Sequence, residues 1–307
     1  MTNTKVGWVS TLVAIVMMLS LVVQATPASA TTSSARTLPP LAQVLREIRS
    51  QVIVRFASDV GSSQATSVVA STGGTVRKSL AFHNTRLASY ATASAAAIAL
   101  STLNKDPRVV HAFYNQRLTL PKKPSASGLV NSLRKRQIGH LGKQMPATTA
   151  SREAAASPAA ADEPLAGNQW HLQRIGYDLA GAPLPHAPTV AVIDTGIDYR
   201  HPDLNSSVLP CPAVLGGYCD LVGYDNVPLD ENGHGTHVAG TIASPSDGAG
   251  ALGVSPTSKL LPVRILDEQG YTDTMTLLQG LDYTRSAKAL IPDLRVANLS
   301  LGGYFLA

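Results

Sequence analysis

The run Thr189-Val-Ala-Val-Ile193, closed by Asp194, constrains the fold of this chain more than any other stretch. A strand wetted on one face alternates apolar and polar residues. A run without alternation suits a strand buried on both faces of a parallel sheet. Residues 260–266 and 295–301 read as further strands, and between them residues 274–286 place Met275, Leu277, Leu278 and Leu281 at helical spacing. Strand, helix, strand in this order implies a right-handed parallel crossover. The second half of the chain is therefore expected to be α/β, built on a doubly wound parallel sheet.

Ahead of it lies a smaller α+β unit. Residues 51–56 read as a short strand, and residues 64–71 as a helix ended by Gly73-Gly74. The alanine-rich residues 91–103 form a second helix that stops before Pro107, and a closing strand follows at 109–114. This unit ends near Pro121. Residues 122–166 are rich in Ala, Ser, Pro and Lys and hold the basic triplet Arg134-Lys135-Arg136. Little there could bury a core, which marks a flexible, protease-accessible linker between residues 31–121 and residues 167–307.

Residues 1–30 stand apart from both units. Lys5 is their only charge and residues 6–23 are almost entirely apolar. Ala28 and Ala30 give the small-x-small ending of a cleaved secretory signal peptide. The rival reading is a retained membrane anchor, since about 18 apolar residues can just span a bilayer. The two alanines favour cleavage, which leaves a secreted chain with no stable span. Export makes Cys211 and Cys219 candidates for a disulfide around a tight loop in which Gly216 and Gly217 supply flexibility, the bland alternative being two unpaired thiols. Two cysteines are too few for a disulfide scaffold or a multi-thiolate zinc site. Charge is also unevenly placed: residues 31–168 carry 17 Lys+Arg against 6 Asp+Glu, and residues 169–307 carry 7 against 14. That split argues against a nucleic-acid binder and lets the two halves attract each other.

Two motifs carry chemistry. In Val190-Ala-Val-Ile-Asp194-Thr-Gly-Ile-Asp198-Tyr-Arg-His-Pro-Asp203-Leu204, a carboxylate directly follows a buried parallel strand, at the sheet edge where α/β folds place ligands. Further on, Asn232-Gly-His234-Gly-Thr-His237-Val-Ala-Gly-Thr-Ile-Ala243 sets a glycine-flanked histidine at the start of a helix. An Asp that orients an imidazole, and an imidazole that takes a proton from a nucleophile, are two thirds of a serine-protease triad. Singly, Asp194 could be a turn or capping residue and His234 a structural residue at a helix start. His234 and His237 also stand three apart with no following Glu, unlike the zincin helix.

Taken together, these stretches closely resemble the subtilisin-like serine proteases. The likeness continues through Gln169-Trp170-His-Leu-Gln-Arg-Ile175, Gly253-Val-Ser-Pro256, Lys259-Leu-Leu-Pro-Val-Arg-Ile-Leu-Asp267 and Asn298-Leu-Ser300-Leu301-Gly302-Gly303. It implies a subtilisin-like α/β domain over residues 167–307, an inhibitor-type propeptide over residues 31–121 as its intramolecular partner, and protein or peptide substrates. Carried over by position, Asp194 would orient the imidazole, and His234 would act as general base and then acid. Ser300, Leu301 and Gly302 would hold substrate by β-augmentation, opposite an edge at Gly270, Tyr271 and Thr272. Gln169 and Asp203 match positions that bind a structural calcium in many relatives. Asp247 is a third candidate ligand, although its loop departs from the family's Asn-containing pattern. Ca²⁺ is the one cofactor expected.

The family's third element, a Gly-Thr-Ser-Met-Ala-like turn carrying the nucleophile, has no counterpart here, nor has the Asn of the oxyanion hole. The expectation is a serine endopeptidase of which this chain carries the Asp and the His but not the Ser, so that it is inactive as it stands. The strand at 295–301 would then be an uncovered apolar edge. The alternative is a non-catalytic binder or inhibitor of proteases that acts through residues 31–121.

Overall fold

The computed structural model describes residues 46–121, 163–177, 187–213 and 218–302. The expected signal peptide, most of the expected linker and the Gly216-Gly217 pair lie outside the described residues. Four antiparallel strands come first: β1 (Gln51–Phe56), β2 (Thr75–Leu80), β3 (Thr85–Ser89) and β4 (Val109–Tyr114), in the order β2-β3-β1-β4. Val52, Val54 and Phe56 of β1 face one side. There α1 (Ser62–Ser71) supplies Ala65, Val68 and Val69, and α2 (Ala93–Leu103) supplies Ala96, Ala99 and Leu103. The Thr92 hydroxyl starts α2 by accepting from the Ala95 N–H at 3.1 Å. Ile53 faces the other way and joins Leu80, Leu87 and Met275. Successive strand residues point to opposite faces, and here both faces are covered.

After β5 (Arg117–Thr119) and the short α3 (Trp170–Arg174), the chain enters a parallel sheet. β6 (Thr189–Asp194) lies between β7 (Leu260–Arg264) and β9 (Leu294–Asn298), parallel to both. Every residue of β6 is buried, as the unbroken apolar run predicts. Val190 and Val192 pack against Ala239 and Ala243 of α4 (His234–Ala243). On the opposite face, Ala191 and Ile193 pack against Tyr283 and Ala287 of α5 (Thr274–Ala287). The chain leaves β6 for β7 on one side, then passes through β8 (Tyr271–Asp273) and α5 to β9 on the other. Strand order therefore reverses at β6, and the carboxyl end of β6 is the switch point where such sheets place ligands. Asp194 is its last residue.

Several boundaries differ from the sequence reading. Residues 163–166, read as linker, are among the described residues and bond to the loop at 248–250. Glu163 is 4% exposed and accepts from the Gly248 N–H at 3.0 Å, while the Leu165 N–H donates to the Gly250 carbonyl at 3.0 Å. β7 stops at Arg264 and β9 at Asn298, short of 266 and 301. Gly302 has left the sheet to pair with Thr119 instead. β9 lies at the sheet edge with Leu294 buried and the next three residues exposed, Val296 among them, as the expected uncovered edge would be.

A disulfide joins Cys211 to Cys219. Tyr283 of α5 donates to the Pro212 carbonyl at 3.0 Å inside this loop, and burial pushes its phenol up to about 12. No helix among the described residues is long and apolar enough to cross a membrane.

Candidate active site

Asp194 and His234 meet at the switch point. The imidazole Nδ1 donates to Asp194 Oδ1 at 2.8 Å, and the Thr195 N–H donates to the same oxygen at 2.8 Å. The Asp194 side chain is fully buried and its Oδ2 has no partner among the described residues. Burial pushes the Asp194 carboxyl above its ordinary value. The hydrogen bonds from His234 and Thr195 oppose that rise, and the nearby charge of Asp230 adds to it.

His234 is placed by its backbone. Gly233, the residue before α4, sits at φ 94°, in the left-handed region that favours glycine. Gly235 lets the helix start butt against the end of β6: a Cβ there would overlap the Gly196 carbonyl oxygen and crowd the Asp194 Cβ at 3.2 Å. Both glycines of the Gly-His-Gly sequence thus have a steric reason.

Asp230, which sequence reasoning missed, fastens the two elements together. Its Oδ1 accepts from the Thr195 hydroxyl at 2.8 Å and from the Asn232 and Gly233 N–H groups at 2.9 Å each. Its Oδ2 accepts from the Thr236 N–H at 2.8 Å and the Thr236 hydroxyl at 2.6 Å. The Thr195 hydroxyl in turn accepts from the Gly235 N–H at 2.9 Å. Burial alone would raise the Asp230 carboxyl, but the bonds from Thr236, Gly233 and Asn232 outweigh it and hold the group below its ordinary value. Its only sequence signal is its place four residues before His234.

A backbone pairing of β5 adjoins this cluster. Asn232 Nδ2 donates to the Glu268 carbonyl at 2.9 Å, tying the start of α4 to the turn before β8. β8 pairs antiparallel with β5, in the register Arg117↔Asp273, Leu118↔Thr272 and Thr119↔Tyr271. The Leu120 N–H donates to the Gly270 carbonyl at 3.0 Å. On the other side, the Thr119 N–H donates to the Gly302 carbonyl at 3.0 Å, and the Gly302 N–H returns to Thr119 at 3.2 Å. Gly270, Tyr271, Thr272 and Gly302, expected to pair with a substrate, therefore all pair with residues 117–120 of the same chain. Ser300 and Leu301 do not join that pairing: the Ser300 hydroxyl accepts from Asn298 Nδ2 at 2.9 Å, and Leu301 packs on the core beside α5. β5 itself is three residues long and gives no periodic signal.

Gln169, Asp203 and Asp247 surround one loop without converging on a point. The Gln169 carboxamide bonds the Leu252 N–H and carbonyl at 2.8 Å each, Asp203 accepts from the Ala251 N–H at 3.0 Å, and Asp247 from the Ala249 N–H at 3.2 Å. Among the described residues, no group of three or more His, Cys, Asp or Glu could hold a metal ion. Glu163 joins the same loop, and its Oε2 is buried without a partner among the described residues. Carboxylate and carboxamide oxygens are the donor chemistry that Ca²⁺ takes, but as arranged here these side chains bond loop N–H groups and do not gather into a site that fits the ion.

Residues 186–304 match the model of the subtilase family, peptidase S8. Subtilisin of Bacillus pumilus is 41% identical over 114 residues, which cover 37% of this chain and 37% of that protein. Subtilisin amylosacchariticus of Bacillus subtilis subsp. amylosacchariticus is 41% identical over 114 residues, covering 37% and 26%. Residues 186–304 are thus similar to one segment of the subtilases. The match extends over little more than a third of either relative's length at most. Fervidolysin from Fervidobacterium pennivorans, described as a keratinolytic enzyme related to subtilisin, superposes with a TM-score of 0.54 at 23% identity, over 84% of this chain and 36% of that one. The chain accordingly shares the α/β fold of that structure, with Asp194 and His234 at the carboxyl edge of its parallel sheet.

Proposed function

We propose that residues 163–302 are the front part of the catalytic domain of a secreted serine endopeptidase, and that residues 46–121 are its intramolecular inhibitor. The observation that carries this reading is β5, which lies between β8 and Gly302 with main-chain bonds to both, as an extended substrate would. Asp194 holds Nδ1–H of His234, which leaves Nε2 to take a proton from a serine hydroxyl and later return it to the leaving amine. The buried carboxylate stabilises the imidazolium formed in between. No serine among the described residues is hydrogen-bonded to His234, so the nucleophile lies outside them, and the 307-residue chain should not cleave peptides by itself. Main-chain pairing accepts most side chains, which fits proteins and peptides as substrates. Residues 1–30 would direct export.

Joining this chain at its C-terminus to the remaining, nucleophile-bearing part of a matched subtilisin tests the assignment. The extended product should hydrolyse casein, and its His234→Ala variant should not; hydrolysis that survives this substitution would overturn the reading.

A further inference from the structure

We infer that the edge at Tyr271 is a subsite for a cationic side chain, so that the edges around β5 select extended peptides with an arginine three residues before the one that pairs with Gly270. The inference rests on the reading of β5 as a seated, substrate-like strand. The Arg117 guanidinium carbon lies 3.7 Å from the centroid of the Tyr271 ring, well inside the range of about 6 Å at which a cation is attracted to an aromatic face. Arg117 Nη1 is buried with no hydrogen-bond partner among the described residues, so the ring face and the local charge must stand in for water. That charge is favourable. The turn and edge over residues 267–273 hold Asp267, Glu268 and Asp273 and no basic residue. Asp267 accepts from the Tyr271 N–H at 2.8 Å, which places its carboxylate at the base of the same edge.

The next positions add apolar selection. Leu118 is 7% exposed between the two edges. Leu120 occupies room that exists because residue 270 is glycine: a Cβ there would meet the Leu120 side chain at 2.7 Å. Thr119 is held mainly through its backbone, by Gly302. The two edges therefore read a cation, an aliphatic residue, a loosely specified residue and a second aliphatic residue, in that order. A planar guanidinium stacks on a ring better than a lysine ammonium does, so arginine is favoured over lysine at the first position.

Amide hydrogen exchange on the 307-residue chain tests this. In the unmodified chain the Thr119 and Leu120 amides should be protected; free exchange there would overturn the seating of β5 itself. Arg117→Ala and Tyr271→Ala should each speed exchange at Thr119 by about three- to tenfold. The double variant should exchange no faster than the worse single one, and Arg117→Lys should fall between. In a second measurement that needs no substitution, a peptide of residues 115–121 added in excess should displace β5 and speed the same exchange. The peptide with Glu in place of Arg should act at least about threefold more weakly. Equal action of the two peptides, or fully additive single variants with Thr119 still protected in the parent, would overturn the cationic subsite while leaving β5 paired.

Discussion

The Asp194–His234 cluster and the pairing around β5 are neighbours, yet they are held by different means. In the cluster, side chains do the holding: Asp230 alone receives five hydrogen bonds, and the Thr195 hydroxyl both donates and accepts. Around β5, backbone groups pair with backbone groups along β8 and at Gly302. Side-chain bonds depend on residue identity, so the cluster has few sequences that satisfy it. Main-chain bonds are indifferent to most side chains, so the pairing around β5 constrains its sequence far less.

Two glycine substitutions break the comparison open, because one meets backbone and the other meets a side chain. Gly235→Ala drives a Cβ into the Gly196 carbonyl. It should destabilise the chain by about 3 kcal/mol or more and abolish the low-field proton resonance expected of the His234–Asp194 bond. A stable variant with that resonance intact would show the cluster to be softer than its packing implies. Gly270→Ala also meets an atom too close, but that atom belongs to the Leu120 side chain, which can move. It should leave global stability within about 1 kcal/mol and loosen β5 alone, as read by exchange at Leu120.

Between these extremes lie the two carboxylates, whose pH dependence runs in opposite directions. Asp230 is held below its ordinary value of 3.8, so its contribution is present above that pH and lost as pH falls through the lower folded value. Asp194 is held above 3.8, so its contribution is present below that pH and lost as pH rises through the raised value. Asp230→Asn should cost about 2 kcal/mol at pH 7 and flatten the acid side of the stability profile. Asp194→Asn should remove the loss on the rising side and leave stability at pH 7 unchanged or higher. Denaturation midpoints between pH 2 and pH 7 distinguish the two, and profiles that move together would contradict the opposed environments.

The same contrast explains what was legible in the sequence. β6, Asp194 and the Gly-His-Gly start of α4 can be read directly, because burial on two faces and close helix–strand contact each demand particular residue types. β2 and β3 could not: Thr75–Leu80 exposes alternate residues at a sheet edge, and β3 buries Thr85 and Arg86 among its apolar positions. β5 was invisible because its partners are backbone groups far along the chain, and no local pattern encodes them. Asp230 and Glu163 look like any loop carboxylates until folding brings Thr195, Thr236 and Gly248 to them. The calcium-type residues were found by resemblance, whereas the structure assigns their oxygens to loop N–H groups.

Met275, near the start of α5, is 1% exposed among Ile53, Leu80 and Leu87, and its N–H donates to the Asn115 side chain at 3.1 Å. The helix that backs β6 thus begins inside the hydrophobic interior of the antiparallel layer and has its first turn completed by that layer. Each layer owns part of the other's core, so heating should melt them in one cooperative step. Parting them would leave a socket in one layer and a bare helix end in the other, which makes their separation closer to partial unfolding than to the release of a docked ligand.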